Sequence, residues 1–219
     1  MWDTTGNRLY ETGVDRGVLF PINGKTGAYE KGVAWNGLTK VSESPDGGDT
    51  TAKYANNNKY LNLIAKENFK GSISAYTYPD EFAECLGEKS VVAGVTFTAQ
   101  SRKSFGFAYR TLVGNDTNST AHGYKINLVY NALAGVSSRD FETVNDSPDA
   151  IEFSWDFDTT PVEAGKEGFE SMAHIVIDST KTDAASLKKI EDAIYGTDSE
   201  EPKLPTPKEL LVLLGVTSA

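Results

Sequence analysis

The chain holds few residues of the types that carry out nucleophilic or acid–base chemistry. Its only histidines are His122 and His174, and its only cysteine is Cys85. His174 lies within an apolar run, which is typical of a packed or surface strand residue. His122 follows Asn-Ser-Thr-Ala, and we expect it to be exposed in a hairpin loop. No H-E-x-x-H, H-x-E or G-x-S-x-G pattern is present, so we expect no enzyme and no cofactor.

The carboxylates and the lone cysteine offer little more. Glu152 and Asp156 could act as the acid and base of a hydrolase. Acids at i and i+4 on a strand are neighbours along one face, however, and a solvated face is the favoured interpretation. Residues 46–49 and 145–149 could supply oxygen ligands for calcium but lack EF-hand spacing and are more typical of turns. A single cysteine permits neither an intrachain disulfide nor a zinc cluster, and we predict no metal site.

The acidic surplus lies entirely in the second half of the chain. Residues 1–110 carry 13 basic and 12 acidic side chains, whereas residues 111–219 carry 8 and 19, for a total charge of -10. Residues 140–170 are the densest acidic patch. A surface of this sign repels phosphate, which argues against nucleic-acid binding. A solvated acidic face that aids solubility is the simplest interpretation.

The dominant hydrophobic period is two, which is typical of strands. In residues 151–158, Ile151, Phe153, Trp155 and Phe157 share one face, opposite an acidic one. The period also favours packing in a core or an interface for Phe105, Phe107 and Tyr109, over stacking on nucleic acid. Further strands are predicted at 9–20, 32–43, 59–65, 71–78, 94–99, 104–113, 124–130 and 173–178. Many short strands separated by turns predict a mainly β, antiparallel sandwich or barrel in one domain, residues 1–196.

Three helices interrupt the strands, at residues 79–85, 182–195 and 207–214. Asp183 is suited to cap the second helix, Leu187, Ile190 and Ile194 recur at helical spacing, and Gly196 ends it. Residues 197–207 are acidic and contain prolines, so we expect a linker that leads to a C-terminal helical tail ending at residue 219. The tail is too short to fold by itself and too apolar to remain exposed to water. It docks either on its own domain or on a neighbouring subunit, and the candidate contacts are Leu210, Leu211, Leu213 and Leu214.

Residues 42–58 are predicted to form a long polar loop without structure of its own. Tyr54 is its only large apolar side chain. Loops of this length are unusual in compact domains and are often functional. At the N-terminus and elsewhere no signal peptide and no transmembrane run is visible, so we expect synthesis in a cytoplasm and no contact with a membrane.

Four stretches together resemble the major tail proteins, or tail-tube proteins, of long-tailed, non-contractile phages, with the closest likeness to phages of Gram-positive hosts. They are 32–39 with the polar loop up to Tyr54, 59–63 leading into 75–85, 105–111 with 114–116 and 122–125, and 145–148 leading into 151–162. None is a strong motif alone, and their order and number carry the resemblance. No family pattern matches the chain beyond Thr197.

The resemblance implies a structural virion protein. Such subunits are β-sandwich-like with a flanking helix, and they form hexameric rings that stack into a helical tube through which genomic DNA is ejected into the host. The implied partners are copies of the chain and the tail terminator, tape measure and distal tail proteins. DNA would pass without specific binding along an acidic lumen that repels phosphate.

The resemblance also assigns residues to the tube. The loop at 42–58 would reach the next ring, and its candidate contacts are Glu43, Asp46, Asp49, Lys53 and Tyr54. The candidates for the wall of the lumen are Glu152, Asp156 and Asp158, with Glu11, Asp15 and Glu30 as competitors.

Two alternatives remain open beside this one. The inner tube of a contractile tail or a bacteriocin particle shares the fold. A carbohydrate- or receptor-binding β-sandwich module belongs to a different class of function, with Trp35, Tyr54 and Tyr60 as a sugar platform.

Overall fold

The computed structural model describes residues 4–141, 143 and 150–216. The predicted turn at 145–148 and the calcium candidate loop at 145–149 therefore lie outside the described residues. The strands are β1 (Tyr10–Pro21), β2 (Val33–Trp35), β3 (Leu38–Glu43), β4 (Thr50–Ala55), β5 (Asn58–Ile64), β6 (Lys70–Ala75), β7 (Lys89–Val92), β8 (Val95–Phe97), β9 (Phe105–Asn115), β10 (Ser119–Ala134), β11 (Phe153–Thr159) and β12 (His174–Asp178). The helices are α1 (Phe82–Cys85), α2 (Ala184–Tyr195) and α3 (Pro207–Leu213). The mainly β, antiparallel prediction is confirmed.

Eight strands form one antiparallel sheet in the order β2-β1-β9-β10-β11-β6-β3, with β12 paired to β10. The sheet curls until β3, at one end, lies beside β1, near the other end. Strands that curl in this way enclose one face as a core and leave the other face for helices or solvent. Successive side chains point to opposite faces, so Leu19 packs inside the curled sheet while Val18 and Phe20 pack outside it.

The interior of the curled sheet is strongly aromatic. Phe105, Phe107 and Tyr109 all lie there, as their spacing predicted. The short helix α1 inserts Phe82 into this core, where its ring lies 4.5 Å from that of Trp35 and 5.3 Å from that of Trp155. Cys85, one turn later, is fully buried in the same core, and burial raises the pKa of its thiol to about 12.

A second core lies between the outer face of β1, β9, β10 and β12 and the helices α2 and α3. Leu187, Ile190 and Ile194 of α2 are buried there, as predicted. Asp183 caps this helix by accepting hydrogen bonds of 3.0 Å from the backbone N–H groups of Ala185 and Ser186. Such local signals predict a helix without reference to its tertiary partners.

The C-terminal segment packs on the same chain. Leu204 is fully buried and Leu210 nearly so, and Leu213 and Leu214 pack against the second core. Thr206 begins α3 with a capping box, in which its hydroxyl accepts from the backbone N–H of Glu209 and the Glu209 carboxylate accepts in return. Leu211 is half-buried. A contact between these leucines and a neighbouring subunit stays a prediction.

The strand β10 changes its pairing partner along its length. Residues 125–129 pair with β12, and residues 132–134 pair with β11. Between them Asn131 has φ 47°, which places a bulge where the register with β9 also shifts. The bulge lets one strand serve both the helix-covered part of the sheet and the part that closes the curl.

The prediction of an unstructured loop at 42–58 is wrong. Residues 42 and 43 end β3, and β4 pairs with β5 in an antiparallel ribbon, residues 50–64, which we call the arm. Asn56 and Asn57 join the strands with φ of 50° and 63°, the combination that a type I′ hairpin turn requires. Strand β4 is polar because neither of its faces packs against a core. It therefore lacks the alternating apolar residues from which a strand is predicted.

Other predictions also need correction. The predicted strand at 32–43 is broken at Gly37, which has φ 78° and separates β2 from β3. Ile151 precedes β11 and is exposed, although its spacing placed it on the buried face. His122 lies half-buried within β10 and not in an exposed loop, because that strand begins at Ser119. Strand β7 was missed, and it pairs with β8 in a second ribbon, residues 89–97.

Candidate assembly surface

The arm exposes large apolar side chains on both of its faces. Leu63 and Ile64 are successive residues that point to opposite faces and are 53% and 73% exposed, and Tyr60 and Leu61, beside a register shift in the ribbon, are 72% and 40% exposed. Tyr54, in the facing strand, is 72% exposed. A two-stranded ribbon in water is marginally stable by itself. An apolar ribbon without its own core indicates a surface that another molecule covers.

The arm is also basic. Residues 50–65 contain Lys53 and Lys59 and no acidic residue. Neither lysine forms an ion pair within the part of the chain that the structure describes. Of the five residues predicted to reach a next ring, Lys53 and Tyr54 lie in β4, Asp46 and Asp49 lie in the connection before it, and Glu43 lies at the end of β3.

Polar contacts hold the base of the arm to the main sheet. Asp46 and Asn68 exchange two backbone hydrogen bonds of 2.8 and 2.6 Å. The Lys70 ammonium donates to the Asp46 carboxylate at 3.1 Å, which lowers the pKa of Asp46 and raises that of Lys70. At the end of β3, Glu43 accepts a 2.6 Å hydrogen bond from the hydroxyl of the buried Tyr109. Burial and this bond raise the pKa of Tyr109.

His174 packs near the base of the arm. Its ring stacks on Phe69, which follows the arm, with 4.3 Å between the ring centroids. Its Nε2 is buried and has no hydrogen-bond partner among the residues that the structure describes. Burial lowers the pKa of His174, and the nearby Glu43 opposes this effect only in part. The imidazole is therefore held neutral beside the base of the arm. This half-buried strand position agrees with the interpretation made from the sequence.

A cleft of about 540 Å³ opens beside this histidine. Phe69, Met172 and Pro161 supply its apolar surface, and Glu67 and Glu170 supply carboxylates. We call this feature the root cleft, and its remaining lining residues are Lys66, Asn68, Ser171, Ala173 and His174. Its surroundings are acidic as well, because Glu163 and Glu167 are exposed in the adjoining segment, where Lys166 is the one basic residue between 160 and 172.

The outer face of β11 and β6 is polar and carries the first set of residues predicted for the lumen wall. Asp156 and Asp158 are exposed there, opposite Ser72 and Lys70 of β6. Glu152, just before β11, accepts a hydrogen bond from Thr39 of β3. The three acids therefore share one face of the sheet, and their position on a lumen wall stays a prediction.

The competing lumen candidates lie elsewhere. Glu11 forms an ion pair with Lys125, and Asp15 accepts a 2.7 Å hydrogen bond from Nε of Arg110. Glu30 accepts a 3.0 Å hydrogen bond from Asn23 in the connection between β1 and β2. Glu11 and Asp15 belong to β1, which is separated from β11 by β9 and β10.

The sugar platform is wrong in the form predicted. Trp35 is 3% exposed, and its indole N–H donates to the Thr77 carbonyl at 2.9 Å, so it cannot share a platform with the exposed Tyr54 and Tyr60. Among the described residues, no group of three or more His, Cys, Asp or Glu side chains could hold a metal ion. Within the same residues, no helix is long and apolar enough to cross a membrane.

Sequence reasoning missed the root cleft and the second ribbon. The cleft joins residues near 67 with residues near 170, and no local pattern reports such a pairing. The second ribbon exposes Val91, Val92, Val95 and Phe97, and Ala93-Gly94 between its strands was the available turn signal.

Comparison with known proteins gives matches in structure alone. No family model matches the chain, and no curated protein matches its sequence. A chain of the sheath–tube complex of PVC, an extracellular contractile injection system, in its extended state aligns with a TM-score of 0.35 and 11% identity over 74% of this chain and 88% of that one. A chain of the PVC sheath/tube terminator gives 0.36 and 11% over 77% and 97%, and one from the baseplate of the anti-feeding prophage gives 0.36 and 9% over 74% and 92%. At these TM-scores the likenesses do not establish a shared fold.

Proposed function

We propose that this chain is a self-assembling structural subunit of a phage tail tube, of the non-contractile type that its sequence resembles. In this proposal six copies close into a ring, and rings stack into a tube whose lumen conducts DNA. The partners are other copies and the terminator, tape measure and distal tail proteins. The subunit would reside in the virion tail. The inner tube of a contractile particle is the nearest alternative, because it would use the same subunit surfaces.

The observation that carries the proposal is the arm. It pairs with no other strand of the described chain, it exposes Tyr54, Tyr60 and Ile64 by more than 70%, and it carries no negative charge. In a monomer the ribbon buries little apolar surface and adds little stability, whereas a neighbouring copy would bury its apolar faces. The second ribbon, with four exposed apolar side chains, supports the same interpretation.

The test is assembly of the purified chain. Negative-stain electron microscopy over a range of protein concentrations should show rings or tubes, and sedimentation should show that assembly depends on concentration. Six-fold symmetry in averaged end-on views would separate a hexameric ring from other closed oligomers. A chain that stays strictly monomeric at every concentration and salt condition contradicts the proposal.

A further inference from the structure

The arm and the root cleft have complementary character. The arm presents Lys53 and Lys59 beside apolar side chains and has no acid. The root cleft presents the two carboxylates Glu67 and Glu170 and one ammonium group, Lys66, around Phe69 and Met172. Neither carboxylate forms an ion pair within the described part of the chain, as is also true of both lysines. Unpaired charges of opposite sign on two apolar surfaces are typical of two halves of one interface.

The length of the arm separates Lys59 from the cleft of its own chain. The cleft lies at the base of the arm, whereas Lys59 lies at its tip. Lys59 and Ala65 are six residue steps apart, and at about 3.3 Å per step the tip stands about 20 Å from the base. An arm tip that enters the cleft therefore comes from a second copy.

We propose that the arm of one copy docks in the root cleft of the next copy, with Lys53 and Lys59 facing Glu67 and Glu170. This inference rests on the proposed function and names the surface that receives the arm. The tip and the cleft are different surfaces of the same chain, so the contact is head-to-tail, and a contact of this kind can repeat from one copy to the next along a stack. In the proposed tube it joins one ring to the next.

Reciprocal charge reversal tests this docking. The arm variant Lys53→Glu/Lys59→Glu and the cleft variant Glu67→Lys/Glu170→Lys each place like charges across the interface. We expect each to raise the protein concentration needed for tube formation at least about tenfold. Mixed in equal amounts, the two variants should form tubes again, because each arm then meets a cleft of opposite charge. The chain that carries all four changes should assemble alone.

Lys89→Glu is the matched control, because it reverses a charge on the second ribbon. Its effect on assembly, whatever its size, should not be relieved by the cleft variant. Circular dichroism shows that each variant is folded before it is assayed. Folded variants that assemble like the wild type, or that stay apart both in the mixture and in the fourfold variant, overturn the docking while the tube function stands. A wild-type chain that never assembles overturns both proposals.

Discussion

At the scale of single residues, His174 combines a buried ring with an unsatisfied nitrogen. The ring stacks on Phe69, and burial lowers the pKa of the imidazole. The titratable or charged groups around it are Glu43 on β3, hydrogen-bonded to Tyr109 on β9, the cleft residues Lys66, Glu67 and Glu170, and Asp178 on its own strand. None of them donates or accepts a hydrogen bond with its Nε2.

This environment predicts a loss of stability in mild acid. An unfolded chain binds a proton on His174 near pH 6.5, whereas the folded chain binds it only at lower pH. The free energy of unfolding should therefore fall as the pH drops below about 6.5, until the pH reaches the lowered pKa of the folded state. Urea unfolding at pH 7.5 and 5.5 measures this loss. His174→Phe should reduce it.

His122→Gln is the control for this prediction, since it removes the other histidine from the same sheet. It should keep the pH dependence of the wild type. If His122→Gln removes the dependence and His174→Phe preserves it, the assignment to His174 is contradicted.

At the scale of elements, α1 stabilises the fold out of proportion to its four residues. Phe82 contacts the rings of Trp35, Phe105 and Trp155 and is fully buried. Phe82→Ala should lower the free energy of unfolding by about 3–5 kcal/mol, because it leaves a cavity among rings that cannot close it. Phe169→Ala is the matched control at a side chain that is 66% exposed, and it should cost less than about 0.5 kcal/mol. Equal losses in the two variants would refute the role of α1.

Substitutions in the arm should impair assembly and leave the stability of the monomer nearly unchanged. Tyr60→Ser/Ile64→Ser removes apolar area that water already reaches, so the free energy of unfolding should change by less than about 0.5 kcal/mol per substitution. Tube formation should be lost, because the interface loses that area. Val212→Ser, at an exposed apolar residue of α3, should leave assembly unchanged. Unfolding of the monomer by the arm substitutions would show that the arm serves the fold instead of assembly.

The helices and strands that could be predicted were those marked by residues within the same short segment of sequence. Asp183 and Gly196 bracket α2, and the spacing of Phe105, Phe107 and Tyr109 identified β9 and its buried face. Strand β4 was not predictable from hydrophobic period, because both of its faces meet solvent and Tyr54 is its only large apolar residue. Strand β5 was predicted at 59–65, and Asn56-Asn57 was the local sign of a turn before it. The root cleft depends on residues about 100 positions apart, and no local rule reports that contact.

At the scale of the whole molecule, charge separates the surfaces. The arm is basic, whereas the face of β11 and the surroundings of the root cleft are acidic. If arm and cleft meet through unlike charges, then raising sodium chloride from about 0.1 to about 1 M should weaken tube formation, because the Debye length falls from about 10 to about 3 Å. Sedimentation measures the assembled fraction. Assembly that strengthens with salt would indicate an interface held by apolar contacts alone.

Because Cys85 is buried, the folded chain should react only slowly with thiol reagents. Cys85 is the only thiol, it is fully enclosed beside Phe82, and its pKa of about 12 leaves almost no thiolate at neutral pH. Alkylation of the native chain should therefore proceed only as fast as the curled sheet opens, so its rate reports how often that happens. Because Cys85 would not be labelled, a cysteine introduced at the tip of the arm could be labelled selectively with a fluorophore. The fluorophore would then report docking as it occurs.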